Sequence, residues 1–256
     1  SGVPGALQAY AQAVAEHGRL GLSASLQKGM EAAENGFPVT DAYAGKLRIA
    51  KKAMVQFPGA VKVFFRPDPT TGIVEPYRVG EILKQSDLAT TYRMISQKGT
   101  DWFYRGAFAE LADQWMKANG GIMTAIDFAN YKTVNRKPVR SKYRDFEIYG
   151  FPPPSSGGVH VAQVLNILEQ FKMAEMYQND PVAFYHVVAE AMKLAFADRA
   201  FWLGDPDYVE VPLGLIEKSY AKELASKIKM DSVLTTDHGM PPNAATEFFE
   251  RHTTPV

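Results

Sequence analysis

Residues 151–171 read FPPPSSGGVHVAQVLNILEQF: three prolines, two serines and two glycines stand directly before an apolar run. Prolines hold a chain extended, a serine satisfies the first turn of a helix, and glycines let another backbone or a ligand approach closely. Val159, Val161, Ala162, Val164, Leu165, Ile167, Leu168 and Phe171 leave little polar face, which predicts a helix from near Ser156 that is buried on more than one side. Ser156 and His160 are four residues apart and can share a helical face, so a nucleophile and base pair is one reading of the stretch. Against it, the sharp GxSxG elbow of a nucleophilic serine is absent, and no third group stands out to orient the imidazole. Helix entry accounts for more of these residues, and the N–H groups of such an entry leave the end open to an anion.

Working outward, PVRSKYRDFEIYGF (138–151) predicts two strands joined by a tight turn at Arg144-Asp145. Asp180-Pro181 opens the longest periodic segment, with Phe184, Val187, Val188, Ala191, Leu194 and Ala195 on one face. GDPDY (204–208) reads as a turn, a further amphipathic helix is expected over about Leu213–Ile228, and the chain beyond Met230 is polar and turn-rich. Toward the N-terminus, helices are expected over Ala6–His17, Leu22–Asn35 with Gly36 as its stop, and from Thr40-Asp41 toward Gln56, where Pro58-Gly59 breaks the pattern. VKVFF (61–65) reads as a strand, followed by a hairpin or loop at RPDPTTG. Two more helices, Ser86–Lys98 and Thr100–Asn119, complete this part, the second with Phe103, Ala107, Leu111 and Trp115 as a core-facing stripe.

Composition narrows the classes of function. Apolar residues are 46% and charged residues 22% of 256, as in a globular protein able to bury a sizeable core. Lys+Arg and Asp+Glu both number 28, so no net field draws the chain to nucleic acid or to an anionic membrane. No apolar stretch is long enough to span a bilayer, and SGVPGALQAY lacks the parts of a signal peptide, so any targeting segment is expected to have been removed or left out. The absence of cysteine excludes disulfides, thiolate nucleophiles and Cys-based zinc sites, and the five histidines show no ligand spacing. No metal and no cofactor is expected. Asp198-Arg199 reads as a helix-surface salt bridge or turn contact in preference to a buried pair or substrate clamp, and Asp205 and Asp207 as turn chemistry.

Four segments together carry a family resemblance: FPPPSSGGVHVAQVLNILEQF, AFADRAFWLGDPDYVEVP, WFYRGAFAELADQWMKANGGIMTAIDFANYK and the initial VPGALQAY. They resemble the large-subunit region of the γ-glutamyltransferase (γ-glutamyltranspeptidase) family over nearly the whole chain. The resemblance implies an α+β fold that is part of an N-terminal-nucleophile αββα sandwich, mainly helical here, with residues 1–256 as one domain and 231–256 as a polar tail leading to a self-cleavage site. Members are made as one precursor, and a threonine freed at the start of the small subunit is the nucleophile. HTTPV at the end of the chain is the matching place, which makes Thr253 the nucleophile, with Thr254 beside it and His252 closing the large subunit, while Pro255 stands where the family usually has His. A threonine hydroxyl needs a base, and the freed α-amine of the same residue, with an ordinary pKa of about 8, can serve.

The resemblance further implies a γ-glutamyl donor such as glutathione, passage of the γ-glutamyl group to water or to an amine, the small subunit of the same precursor as partner, and a periplasmic or extracellular location. The small subunit and an arginine for the substrate α-carboxylate fall outside these residues, so substrate-binding groups stay unassigned, and the chain alone is expected to be inactive and to self-associate through uncovered apolar surface. Ser155 and Ser156 become helix-entry residues. A cephalosporin-acylase-like amidase, a poly-γ-glutamate-processing enzyme and a noncatalytic helical scaffold remain the alternatives.

Overall fold

The structure, a computed structural model, describes residues 2–68 and 70–244. The chain forms two compact units, Ser1–Val134 and Asn135–Val256.

In the first unit, α1 (Ala6–His17) and α2 (Leu22–Asn35) run as the glycine stops direct, with Gly36 at φ +85°, a conformation that a side chain would strain. Strand β1 (Phe37–Pro38) follows, and α3 (Asp41–Met54) starts at Thr40, whose hydroxyl accepts the Tyr43 N–H at 3.3 Å. VKVFF is mostly helical, not a strand: α4 spans Pro58–Phe64, and the strand β2 is displaced to Phe65–Pro67. Pro58 occupies a first-turn position where its missing N–H costs nothing, so it starts a helix there, and the turn it nucleates overrides the β preference of the valines. The expected hairpin is present, with β2 pairing antiparallel to β3 (Val74–Pro76) across a turn in which Asp68 Oδ1 accepts the N–H groups of Thr70 and Thr71. Strand β4 (Ile82–Leu83) pairs with β1, and α5 (Ser86–Lys98) packs along α2.

The segment expected as one helix over Thr100–Asn119 is two, α6 (Asp101–Tyr104) and α7 (Ala107–Ala118). Gly106 leaves the helical region at φ −122°, ψ −152°, and the break resets the phase of the apolar stripe. Phe103 is therefore core, stacked on Phe108 at 4.0 Å, whereas Leu111 and Trp115 are 62% and 57% exposed. Helix α8 (Ala125–Asn130) begins with a Thr124/Asp127 capping box and seats the buried Phe128 beside Phe103.

In the second unit the hairpin falls where expected: β5 (Val139–Tyr143) pairs with β6 (Phe146–Gly150), with Arg144 at φ +53° in the turn. Helices α9 (Gly157–Leu168), α10 (Met173–Asn179), α11 (Pro181–Trp202) and α12 (Lys218–Lys227) enclose one core that includes Val159, Ile167, Val187, Leu194, Trp202 and Leu224. Asp180 caps α11 by accepting the Ala183 N–H at 3.0 Å. The amphipathic stretch expected over Leu213–Ile228 divides into a 3₁₀ turn, Leu213–Ile216, and α12. Asn166 holds that turn by donating from Nδ2 to the Ile216 carbonyl at 2.7 Å.

Candidate functional site

The site is built on α11 and on what this helix faces. Apolar periodicity put Val187, Ala191, Leu194 and Ala195 in the core, and they are buried there. The same helix also buries two acids, Glu190 and Asp198, at 2% and 1% exposure. A buried carboxylate is strongly unfavourable unless it is hydrogen-bonded or paired. Asp198 meets that requirement with three donors: Gln163 Nε2 at 2.5 Å and Tyr220 Oη at 2.8 Å to Oδ2, and the Gly239 N–H at 2.6 Å to Oδ1. Gln163 comes from α9 and Tyr220 from α12, so one carboxylate ties two neighbouring helices and an irregular segment to α11. Burial first, and then the Asp198 charge and hydrogen bond, push the Tyr220 hydroxyl well above its ordinary pKa, so it stays a donor.

The surface salt bridge expected for Asp198-Arg199 does not form. Asp198 points into the core, and Arg199 Nε instead donates to Ser156 Oγ at 2.9 Å. That contact also decides the opening stretch. Among the described residues no side-chain hydrogen bond joins Ser156 to His160, whose ring lies edge-on to Phe196 with centroids 4.3 Å apart. Burial, and secondarily the Arg199 charge, hold the imidazole below its ordinary pKa against the opposing effect of a bond to the Ala195 backbone. The N–H of Gly157 is taken by Ser155 Oγ at 3.3 Å and that of Gly158 by the Phe151 carbonyl at 3.0 Å, so these two donors serve the protein's own turn instead of an anion. The stretch is a helix entry.

The polar segment after α12 is held along α11 at three levels. His186 Nε2 meets the Lys229 carbonyl at 2.8 Å. Glu190 Oε2 accepts the Leu234 N–H at 3.2 Å while Lys193 Nζ donates to the Leu234 carbonyl at 2.6 Å. Asp198 accepts the Gly239 N–H, and the Trp202 indole donates to the Gly239 carbonyl at 3.0 Å. His238 stacks on Phe201 with centroids 3.6 Å apart. Burial works to raise the Glu190 pKa, but the Lys193 and Leu234 hydrogen bonds with the Lys193 and His186 charges outweigh it and leave the pKa below its ordinary value. Thr253, with His252 and Thr254, lies outside the described residues.

Asp205 and Asp207 do the turn work expected of them. Asp205 Oδ1 accepts the Asp207 N–H at 3.0 Å, and Arg136 adds an ion pair to Asp207 at 2.9 Å. Beside them a surface groove of about 460 Å³ is lined by Arg136, Pro152, Pro153, Pro206, Val209 and Leu213 among others.

Residues 1–255 match the gamma-glutamyltranspeptidase family. The chain belongs to the gamma-glutamyltranspeptidase family. It is 37% identical over 247 residues to the glutathione hydrolase proenzyme of Escherichia coli (strain K12), covering 96% of this chain and 41% of that protein. It is also 37% identical to the acylase ACY 1 proenzyme of Pseudomonas sp. (strain SE83), over 93% of this chain and 42% of that one. The gamma-glutamyltranspeptidase of Helicobacter pylori superposes with a TM-score of 0.85 at 36% identity, covering 92% of this chain and 66% of that chain. This gamma-glutamyltranspeptidase-family chain thus spans about two-fifths of the length of those two curated relatives. The expected fold class, α+β and mainly helical in this region, stands. Among the described residues no helix is long and apolar enough to cross a membrane.

Sequence reasoning missed Asp198 as the centre of a buried network, and Glu190 and Lys193 as a backbone clamp. The available signal was polar residues inside a long apolar helix: His186, Glu190 and Lys193 share one side of α11, while Asp198 and Trp202 fall on its apolar face with Val187, Ala191, Leu194 and Ala195.

Proposed function

We propose that this chain is the large-subunit body of an enzyme that cleaves itself before Thr253 and then transfers γ-glutamyl groups, with glutathione or a related γ-glutamyl compound as donor. Kinship carries this reading: 37% identity to a protein named glutathione hydrolase proenzyme, over 96% of the chain, together with the fold of a gamma-glutamyltranspeptidase. In this reading the hydroxyl of Thr253 adds to the γ-carbonyl carbon and gives its proton to the residue's own α-amine. The C–N bond then breaks, the leaving amine takes up the proton, and an ester remains on Thr253. Water or an incoming amine attacks that ester and restores the hydroxyl. The small subunit of the same precursor is the partner, and the periplasm or cell exterior is the proposed location. The chemistry needs neither metal nor cofactor.

A second reading has its own support, since an acylase proenzyme is equally identical. One set of measurements separates the two. The full-length chain containing these residues is expected to process into two pieces and to release p-nitroaniline from γ-glutamyl-p-nitroanilide. The Thr253→Ala variant is expected to do neither, and the 256-residue chain alone to be inactive. Hydrolysis of glutaryl-7-aminocephalosporanic acid without γ-glutamyl turnover would replace the proposal with an acylase, and processing by Thr253→Ala would remove Thr253 from its role.

A further inference from the structure

Side chains of α11 hydrogen-bond to the backbone of residues 229–239. At Leu234 and again at Gly239, an acid on α11 takes the N–H and a donor on α11 takes the carbonyl: Glu190 with Lys193, then Asp198 with Trp202. Such paired capture reproduces what a neighbouring strand would supply, and it fixes which residue of the segment sits at which level of the helix. Glu190 and Asp198 are eight residues apart, about 12 Å along a helix. The five residues from Leu234 to Gly239 can extend to about 17 Å, so the segment spans the distance with slack and the clamps, not chain length, set its register.

Close packing guards the second clamp. A Cβ on Gly239 would stand 2.1 Å from Tyr220 Oη, and one on Gly214 1.9 Å from the Pro242 carbonyl oxygen. Only a glycine fits where the segment crosses Tyr220, and a one-residue slip would drive a side chain into that hydroxyl. The register is thus imposed twice, once by hydrogen bonds and once by exclusion.

We propose that α11 is a register clamp for the segment that presents Thr253, with Asp198 as its central positioning residue for self-cleavage. This inference rests on the reading of Thr253 as the nucleophile. Thr253 lies 14 residues beyond Gly239. If the whole segment came free, the tether from the end of α12 would lengthen to about 25 residues, and loop-closure entropy alone would lower the local concentration of the cleavage site about two- to threefold. A larger loss of processing therefore reports register and not reach.

The test uses the full-length chain, with two readouts: amide hydrogen exchange across 229–244, and the rate at which pulse-labelled precursor is processed. The variants are Asp198→Asn, which keeps the shape and removes the charge, Gly239→Ala, which acts from the segment side, Thr253→Ala, and Ile167→Val as a core change that touches neither clamp. Asp198→Asn and Gly239→Ala are expected to speed exchange at Leu234 and Gly239 and to slow processing tenfold or more, while Ile167→Val changes neither readout. Thr253→Ala is expected to abolish processing with protection of 229–244 intact. Faster exchange with processing within threefold of the parent, or unchanged exchange in both clamp variants, overturns the clamp as a positioning device. Processing by Thr253→Ala overturns the nucleophile reading instead, and the exchange data then show separately whether the grip exists.

Discussion

Two adjacent glycines at the start of α9 are expected to respond to alanine with opposite signs. A Cβ on Gly157 meets nothing nearer than Ser155 Oγ at 3.5 Å, an ordinary contact. Gly157→Ala should therefore show the helix propensity gain alone, up to about 1 kcal/mol and reduced by its place in the first turn. A Cβ on Gly158 would lie 2.4 Å from the Phe151 carbonyl oxygen and 2.9 Å from the Gly150 carbonyl carbon, backbone atoms that cannot rotate away. Restoring contacts to about 3.5 Å requires α9 and the end of β6 to separate by roughly 1 Å. Overpacking of that kind costs about 1–3 kcal/mol, and stretching the Gly158 N–H bond to Phe151 adds about 1 kcal/mol. The two variants should differ by about 2–5 kcal/mol, on the order of 10 °C in midpoint for a unit of this size. Scanning calorimetry of both proteins beside the parent measures it. A Gly158→Ala protein as stable as the parent would refute the reasoning, because the helix entry would then not be set by the approach of two backbones.

Tyr220→Phe keeps the buried ring and removes one donor from Asp198, so urea unfolding should show a loss of about 1.5–3 kcal/mol, the usual worth of a hydrogen bond to a charged group; an unchanged midpoint would mean that Gln163 and Gly239 suffice. Acid should act in two stages. The His160 pKa is lowered by burial from 6.5, so the unfolded chain takes up that proton first, and stability present above pH 6.5 is lost as pH falls through that value. The Glu190 pKa is lowered from 4.5, so its contribution is present above pH 4.5 and is lost as pH falls below it. His160→Gln should flatten the first stage and Glu190→Gln the second in midpoint-against-pH curves, and a curve unchanged by either substitution would discard that assignment.

Much of the helical frame was legible because its ends are chemical. Gly36, Gly99 and Asp180 stop or cap their helices where the sequence places them. The β5–β6 hairpin was legible from its alternation and polar turn. Where two local preferences competed, the reading failed. Pro58 can close one pattern or open a helix, and in VKVFF the helix start wins over β propensity. Gly106 sits inside an apparently continuous stripe, and only the three-dimensional break shows that Trp115 belongs to a different phase from Phe103.

Asp198 was illegible for a different reason. Its partners Gln163, Tyr220 and Gly239 are 35, 22 and 41 residues away, and nothing local marks them as converging. A rule that keeps charged residues at the surface assigned it a salt bridge with its neighbour, which is the common fate of an Asp-Arg pair on a helix. The rule fails here because the segment after α12 runs to residue 244 with no helix or strand, and although it bonds itself at His238 and Ala244, the backbone groups of Leu234 and Gly239 take their partners from α11. An apolar stripe carrying one acid at its edge, Glu190, and one within it, Asp198, is thus how this sequence encodes a helix that packs in the core and also holds an irregular segment, which together with Gln163, Tyr220 and Lys193 satisfies the two buried charges. Removing this segment should therefore cost more than its own contacts, since it leaves Glu190 and Asp198 with unfilled acceptors beside the core.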